Sequence, residues 1–209
     1  MKARQPLFIT FEGGEGCGKS TQIKLLSQAL LEKGFDVALY REPGGTKGAE
    51  EIRSLLLSGS EERWTPTTEA LLMSAARADL VQKSILPHLK KGGIVLCDRF
   101  TDSTIAYQGF GHGLGYDATS TLNQFTVGSL KPDLTFIFQL DPTIGLKRTE
   151  ERGGGRDRYE CFDLSFHTRV QEGYVEILKR NPDRCVAIDA LLDIKSTEKI
   201  IFKEVCGRL

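Results

Sequence analysis

The chain has 209 residues, a hydrophobic fraction of 40% and a formal net charge of zero, which suits one domain with a buried core. The balanced charge argues against a nucleic-acid-binding or membrane-surface protein whose affinity depends on bulk positive charge. The five cysteines are dispersed and form no C-x-x-C pair, and the three histidines lie away from them. This pattern argues against a zinc site and favours the reducing cytoplasm over secretion.

Strands and helices alternate along the sequence. The predicted strands are 7–12, 36–40, 94–97, 134–140 and 185–188, and the predicted helices are 19–33, 49–57, 65–91, 118–126, 143–151, 164–179 and 194–206. Pro87 is expected to kink or shorten the end of the third helix, and a cis peptide bond would suit the tight turn at Glu42-Pro43. The alternation predicts a single α/β domain over residues 1–209, in which a five-stranded, mostly parallel sheet carries helices on both faces.

The segment between the first predicted strand and helix, GGEGCGKS at residues 13–20, matches the P-loop pattern G-x-x-x-x-G-K-[ST]. Its glycines let backbone amides surround a phosphate, and the helix that follows adds partial positive charge at its N-terminus. We expect Lys19 to reach the β- and γ-phosphates and the Ser20 hydroxyl to bind Mg²⁺. The residues predicted to contact ATP here are Gly13, Gly14, Glu15, Gly16, Cys17, Gly18, Lys19, Ser20 and Thr21.

GTPase switches, motor ATPases and small kinases all use a P-loop. Neither Asn123 nor Asn181 is followed by lysine, so the N-K-x-D guanine motif is missing, and no D-x-x-G switch sequence occurs. Motor ATPases are normally longer or carry partner-binding segments. In a non-enzymatic nucleotide-binding module, we would expect the P-loop residues and the strand-end residues described next to be replaced. Both sets are present in this chain. A small kinase is therefore the favoured interpretation.

Charged residues follow two other predicted strands. Asp98 ends the third strand, where a carboxylate can hold the water shell of Mg²⁺ beside the P-loop. Arg99 offers a bidentate fork for a second phosphate, and Arg41, at the end of the second strand, could hold an acceptor phosphate. Because ligands of open α/β sheets bind beyond the carboxyl ends of the strands, these residues predict one phosphate-rich site.

A glycine-hinged segment, RGGGRDRY at residues 152–159, carries three arginines. Its composition predicts a mobile lid over residues 150–162 that brings cationic groups over a transferring phosphoryl group. The three arginines, Arg152, Arg156 and Arg158, would supply these cationic groups beside Lys19, Asp98 and Arg99.

Six segments together resemble the bacterial thymidylate kinases, which are nucleoside monophosphate kinases. They are FEGGEGCGKST at 11–21, REPGGT at 41–46, AAR at 75–77, DRF at 98–100, STIAYQG at 103–109 and KPDL at 131–134. The resemblance spans nearly the whole chain and implies transfer of the ATP γ-phosphate to dTMP with Mg²⁺, giving dTDP and ADP. It also implies a P-loop NTPase-type fold with a five-stranded parallel sheet, and a homodimer built from helices.

The resemblance implies residue roles as well. Arg99 would bind the dTMP phosphate, Arg77 the O4 atom of thymine and Thr104 another polar edge of the base. Tyr107 would lie against the deoxyribose, Glu15 near its 3′-hydroxyl, and Asp189 in the loop that packs on adenine. The residues assigned to dTMP are Glu15, Arg41, Met73, Arg77, Arg99, Thr104, Tyr107 and Gln108.

The family divides into two classes by the place of its extra arginine, and this chain departs from the usual family pattern at one position. The P-loop has no arginine at its variable positions and the lid does, so the chain resembles the lid-arginine class. Arg152 and Arg158 match the family lid better than Arg156, so the resemblance implies that these two are catalytic together with Lys19, Asp98 and Arg99. Met73 stands where the family usually has a phenylalanine that stacks on thymine, which predicts looser base selection. A kinase for another monophosphate acceptor, such as dUMP, dCMP or a ribonucleotide, would differ from this interpretation only in the acceptor pocket.

Overall fold

A computed structural model describes residues 5–153 and 157–209. The central part of the predicted lid, Gly154, Gly155 and Arg156, lies outside the described residues, as do residues 1–4. Among the helices in the described ranges, none has the length and apolar character needed to cross a membrane.

The sheet has five parallel strands in the order β2-β3-β1-β4-β5. The strands are β1 (Leu7–Gly13), β2 (Val37–Arg41), β3 (Ile94–Asp98), β4 (Leu134–Gln139) and β5 (Cys185–Asp189). The central strand β1 is buried along its whole length, which explains why its sequence is a continuous apolar run rather than an alternating one. The predicted five-stranded parallel α/β fold is confirmed.

Helices cover both faces of the sheet. The helices are α1 (Lys19–Glu32), α2 (Lys47–Leu57), α3 (Pro66–Leu80), α4 (Leu86–Lys90), α5 (Thr101–Thr104), α6 (Tyr116–Val127), α7 (Pro142–Arg152), α8 (Leu164–Arg180) and α9 (Ile194–Cys206). Side chains on one face of β1, such as Ile9 and Phe11, pack with α1 and α9. Phe8, on the other face, packs with Leu80 and Ile85. This alternation is what a strand buried between two helical layers requires.

The predicted helix 65–91 is one helical unit interrupted by a π-helical turn. The π turn, Val81–Ile85, connects α3 to α4, and the Leu86 amide bonds Val81 O at its end. Pro87 has no N–H, so α-helical pairing must be interrupted near it, and the wider turn provides that interruption. The helix therefore continues to Lys90 instead of shortening at Pro87.

The segment from Thr101 to Gly111 is helical and was not predicted. It consists of α5 and a π-helical stretch, Ile105–Gly111, that packs against α8. Its glycines mask any helical period in the sequence, and burial under α8 supplies the stabilisation that local propensity does not. The Glu42-Pro43 peptide bond is cis.

Candidate active site

The P-loop joins β1 to α1 and folds back onto the first turn of α7. Gly16 has a φ of 63°, and a β-carbon there would lie 2.2 Å from the Gly145 carbonyl oxygen. A β-carbon on Gly145 would lie 2.3 Å from the carbonyl oxygen of Glu15. Both positions need glycine because two backbones approach each other without side chains between them.

Lys19 is buried in the loop that it belongs to. Its ammonium group donates to the carbonyl oxygens of Gly13, at 3.0 Å, and Gly14, at 2.8 Å, and contacts Cys17 Sγ at 3.2 Å. Gly18 caps α1 in a left-handed conformation with no side-chain cap. The first amides of α1 therefore point into the loop beside a fixed positive charge, which is an arrangement for binding phosphate.

Ser20 and Asp98 meet at the mouth of the P-loop. The Ser20 hydroxyl donates to Asp98 Oδ2 at 3.0 Å, and both residues line the same cavity. A hydroxyl and a carboxylate are hard oxygen donors of the kind that Mg²⁺ prefers. These two residues therefore fit the predicted magnesium site.

A cavity of about 430 Å³ opens beyond the carboxyl ends of the strands, within the size range of small-molecule sites. It brings the P-loop together with most of the residues that the sequence assigned to the acceptor. The predicted site residues that line it are Glu15, Gly16, Cys17, Gly18, Lys19, Ser20, Thr21, Arg41, Met73, Arg77, Asp98, Arg99, Thr104, Tyr107, Gln108 and Arg152.

Arg99 is the one non-glycine residue of the described chain with a positive φ, 68°. This backbone conformation turns its guanidinium toward the P-loop, where Nη1 donates to the Gly13 carbonyl at 2.9 Å. Nη2 donates to Glu15 Oε1 at 2.8 Å. A strained backbone persists only where the surrounding structure holds it, and here the hydrogen bonds of Arg99 do so.

Glu15 links Arg99 to the sugar side of the cavity. Its Oε1 also accepts a hydrogen bond from the Tyr107 hydroxyl at 2.7 Å. Burial acts to raise the pKa of Glu15, but the charges of Arg99 and Lys19 and the Tyr107 hydrogen bond outweigh it and lower that pKa to about 2. Glu15 is therefore a fixed carboxylate acceptor at neutral pH.

Arg77 is held by hydrogen bonds from four directions. Nε donates to Glu42 at 2.7 Å, and Nη2 donates to the Phe100 carbonyl at 2.9 Å. Nη1 donates to Thr104 Oγ1 at 2.8 Å and to Asn123 Oδ1 at 3.0 Å. The guanidinium is thus oriented before any ligand arrives, and only part of its donor capacity remains for one.

The rim of the cavity on the acceptor side carries two more arginines. Arg41 is half exposed and pairs with Glu50 at 3.2 Å. Arg53, on α2, donates to the Pro43 carbonyl at 2.8 Å and lines the cavity. Arg53 was not predicted, because its position in an amphipathic helix looks like an ordinary exposed residue until the helix is placed against the turn after β2.

On the donor side, α7 directs two arginines toward the P-loop. Arg148 Nη1 lies 3.5 Å from the Gly16 carbonyl oxygen and 3.3 Å from that of Ala190. Arg152, one helical turn later, pairs with Glu160 at 3.1 Å. Arg148 was missed, although its i, i+4 spacing from Arg152 on a predicted helix places both on one face.

Arg158 does not line this cavity. Its guanidinium is buried, pairs with Glu69, and donates to the carbonyl oxygens of Ser60 at 3.0 Å and Glu61 at 2.8 Å. The sequence placed Arg158 with Arg152 as a phosphate ligand. The structure separates them, because Arg158 follows the glycine-rich segment and packs beneath the loop between α2 and α3.

Asp189 also lies outside the cavity lining. It ends β5, and its carboxylate accepts the Leu191 amide at 2.9 Å, shaping the loop that follows. Leu191 and Leu192 in this loop are exposed. The loop adjoins the P-loop side of the cavity through the contact of Ala190 with Arg148. Whether Asp189 contacts adenine stays a prediction.

Comparison with known proteins agrees with this geometry. The family model for thymidylate kinase matches residues 11–201. The chain is 49% identical over 205 residues to the thymidylate kinase of Caulobacter vibrioides, covering 98% of each chain, and 45% identical over 208 residues to that of Geotalea daltonii, covering 97% of each. The crystal structure of thymidylate kinase from Ehrlichia chaffeensis matches with a TM-score of 0.78 and 35% identity, over 96% of this chain and 98% of that one. Because the similarity in sequence and fold extends over nearly the full length, the chain belongs to the thymidylate kinase family.

Proposed function

We propose that this cavity transfers the γ-phosphoryl group of ATP to the phosphate of dTMP, giving ADP and dTDP. Membership of the thymidylate kinase family makes the chain a nucleotide kinase. The observation that carries the residue assignment is the 2.9 Å hydrogen bond between Arg99 and the P-loop residue Gly13. An acceptor phosphate held by Arg99 would lie beside a donor phosphate in the P-loop, as in-line transfer requires.

The chemistry needs positioning and charge neutralisation rather than a general base. The second pKa of a phosphate monoester is about 6, so the acceptor phosphate is mostly a dianion at neutral pH. One of its oxygens attacks the γ-phosphorus, the bond to the β-phosphate oxygen breaks, and ADP leaves with the electron pair. Lys19 and Arg152 would neutralise the donor phosphates, while Arg99 holds the attacking group.

Ser20 and Asp98 would hold Mg²⁺ with the ATP phosphates. Bound there, the ion would neutralise phosphate charge as it develops during transfer. Asp98 also has a structural role. Its carboxylate accepts a hydrogen bond from the Ser20 hydroxyl and so fixes the Ser20 side chain at the P-loop.

Base and sugar selection would fall to the side chains opposite the P-loop. Met73, Arg77 and Thr104 line the cavity on this side. The remaining donor capacity of Arg77 suits a keto oxygen such as thymine O4 better than the amino group of cytosine. Tyr107, tied to Glu15, would lie against the deoxyribose and crowd a ribose 2′-hydroxyl.

We also propose that the chain forms a homodimer through α2, α3 and α6. These helices pack side by side and carry exposed apolar side chains, among them Leu55, Leu71 and Phe125, the last 90% exposed. Neighbouring helices that together expose several large apolar side chains are typical of an interface. Sedimentation analysis should show a dimer for the wild type and a shift toward monomer for Phe125→Glu, whereas a wild-type monomer at micromolar concentration would contradict the proposal.

The activity is tested by measuring ADP release with Mg-ATP against dTMP, dUMP, dCMP, UMP, CMP, AMP and GMP. We expect a clear preference for dTMP. In the cell we place this activity in the cytoplasm, where ATP and dTMP are both available. Arg99→Ala should raise the dTMP KM and lower kcat, while Arg180→Ala, at the distal end of α8, is the matched arginine control. Turnover with a different acceptor would overturn the base assignment, and wild-type kinetics in Arg99→Ala would overturn the phosphate assignment.

A further inference from the structure

Glu12 is a fully buried carboxylate that does not line the cavity, and one of its hydrogen-bond partners, Ser103, does. It stands at the end of β1, just before the P-loop. Oε1 accepts the Phe100 amide at 2.7 Å, and Oε2 accepts the hydroxyls of Ser103, at 2.6 Å, and Tyr174, at 3.1 Å. Burying a carboxylate is costly, so these three bonds must offset its desolvation. Glu12 itself has no role in the phosphoryl transfer proposed above.

The first of these bonds holds the backbone beside Arg99. Arg99 has a φ of 68°, a left-handed conformation that is unfavourable for a residue with a side chain. The Arg99 amide donates to the Phe11 carbonyl at 2.9 Å, and the next amide, that of Phe100, donates to Glu12. Two consecutive amides are therefore fixed to the end of β1, one by its backbone and one by the Glu12 carboxylate.

The other two bonds reach the Arg99 side chain. The hydroxyls of Ser103 and Tyr174 lie 3.3 and 3.2 Å from Arg99 Nη1 and can only accept from it. Because each hydroxyl gives its hydrogen to Glu12, it presents its lone pairs to the guanidinium. By accepting both hydrogens, Oε2 of Glu12 thus fixes the direction of both hydrogen bonds, and within the described residues no hydrogen bond joins Glu12 directly to Arg99.

This arrangement leaves Arg99 with donors to spare. Nη1 is satisfied by Gly13, Ser103 and Tyr174, and Nη2 by one bond to Glu15. Within the described ranges, Nε and the second hydrogen of Nη2 have no hydrogen-bond partner. Two donors on neighbouring guanidinium nitrogens form the fork that binds a phosphate in a bidentate manner.

We propose that Glu12 is a positioning residue for Arg99: it holds both the left-handed backbone and the guanidinium so that the free fork faces the acceptor phosphate. The inference rests on the proposed function, because it concerns how the acceptor-phosphate arginine of that site is oriented. It predicts that Glu12 acts on the acceptor and not on ATP, although Glu12 immediately precedes the ATP-binding loop.

The test is a double-mutant cycle. Glu12→Gln keeps the shape of the side chain, and its amide oxygen can still accept from the Phe100 N–H. Its amide nitrogen cannot accept the hydrogens of the Ser103 and Tyr174 hydroxyls. We expect its dTMP KM to rise at least tenfold with the ATP KM within twofold of wild type. In the Arg99→Ala background the same substitution should change the dTMP KM by less than twofold, because Glu12 acts through Arg99.

Thr10→Val is the matched control. Thr10 lies two residues earlier on β1, is equally buried, and makes a 2.8 Å hydrogen bond to Thr135, a residue that has no hydrogen bond to Arg99, Ser103 or Tyr174 in the described structure. Its dTMP KM should stay within twofold of wild type. Tyr174→Phe removes one bridging hydroxyl with little change of volume, so it tests the same connection if Glu12→Gln does not fold, and we expect a threefold or larger rise in dTMP KM.

Equal losses in the wild-type and Arg99→Ala backgrounds, or an effect confined to the ATP KM, would overturn the inference. So would an unchanged dTMP KM in Tyr174→Phe if Glu12→Gln does not fold. The cycle is run with whichever monophosphate the wild type uses, so failure of dTMP as a substrate overturns the proposed function and leaves the role of Glu12 measurable. Absence of turnover with every monophosphate would overturn both.

Discussion

The guanidinium of Arg158 is paired with the carboxylate of Glu69, and neither side chain is accessible to solvent. Glu69 stands in the first turn of α3, and its other oxygen accepts from Gln108 at 2.8 Å. Arg158 is thereby connected to a residue that lines the cavity. Arg158 attaches the segment that follows the glycines to the helical layer, whereas Arg152 lines the cavity.

Arg158→Ala should destabilise the protein strongly. Removing one partner of this buried ion pair leaves the Glu69 carboxylate with Gln108 and His112 as its described partners and without its guanidinium, at a cost of about 3–5 kcal/mol. Urea unfolding at pH 7 measures the loss. The double variant Arg158→Met/Glu69→Met should recover part of it, because it removes both charges. A loss below about 1 kcal/mol in Arg158→Ala would contradict the anchoring role.

Arg152→Ala should act on catalysis instead. Its side chain is 68% exposed, so its removal should leave the free energy of unfolding nearly unchanged. Loss of a cation that stabilises the transferring phosphoryl group should lower kcat about 100-fold. Steady-state kinetics with Lys147→Ala, an exposed residue of the same helix, as the control would check this. A kcat within threefold of wild type would refute the assignment.

Met73→Phe should sharpen base selection. Met73 lines the cavity from α3, and a thioether caps a base with less geometric constraint than an aromatic ring does. We expect the ratio of kcat/KM for dTMP to that for dUMP to rise by about threefold to tenfold, equivalent to about 1 kcal/mol. Leu31→Phe, at an exposed position of α1 away from the cavity lining, should leave the ratio unchanged. An unchanged ratio in Met73→Phe would show that Met73 only fills space.

The stability contributed by Glu15 should depend on pH. Its pKa is about 2 in the folded protein against a usual value of 4.5, so its contribution is present above pH 4.5 and is lost as the pH falls through about 2. Between pH 7 and pH 3.5 we expect wild type to lose about 1 kcal/mol more than Glu15→Gln in urea unfolding. Glu62→Gln, on an exposed turn, controls for the change in net charge. Parallel losses in wild type and Glu15→Gln would contradict the strong ionisation of Glu15.

The sequence predicted the parts of the fold that depend on local pattern. Buried parallel strands have continuous apolar sequences, and the spacing of glycines around Lys19 needs only the flanking strand and helix to be recognised. All five strands and the seven long helical segments were therefore placed within a few residues. The helices between Thr101 and Gly111 were not, since their stability comes from packing against α8 rather than from their own residues.

The amino-acid sequence by itself determined that the chain is an α/β nucleotide kinase and which residue types meet at the phosphate site. Local backbone conformation and the chemistry of phosphate binding select those residues within short segments, and such segments can be recognised in the sequence alone. Only the tertiary structure decided that Arg158 is an anchor, that Arg148 and Arg53 join the cavity, and that Glu12 stands behind Arg99. These roles depend on which groups the fold brings together. For Glu12, Arg158 and Arg148 the partners lie 88, 89 and 132 positions away in the chain.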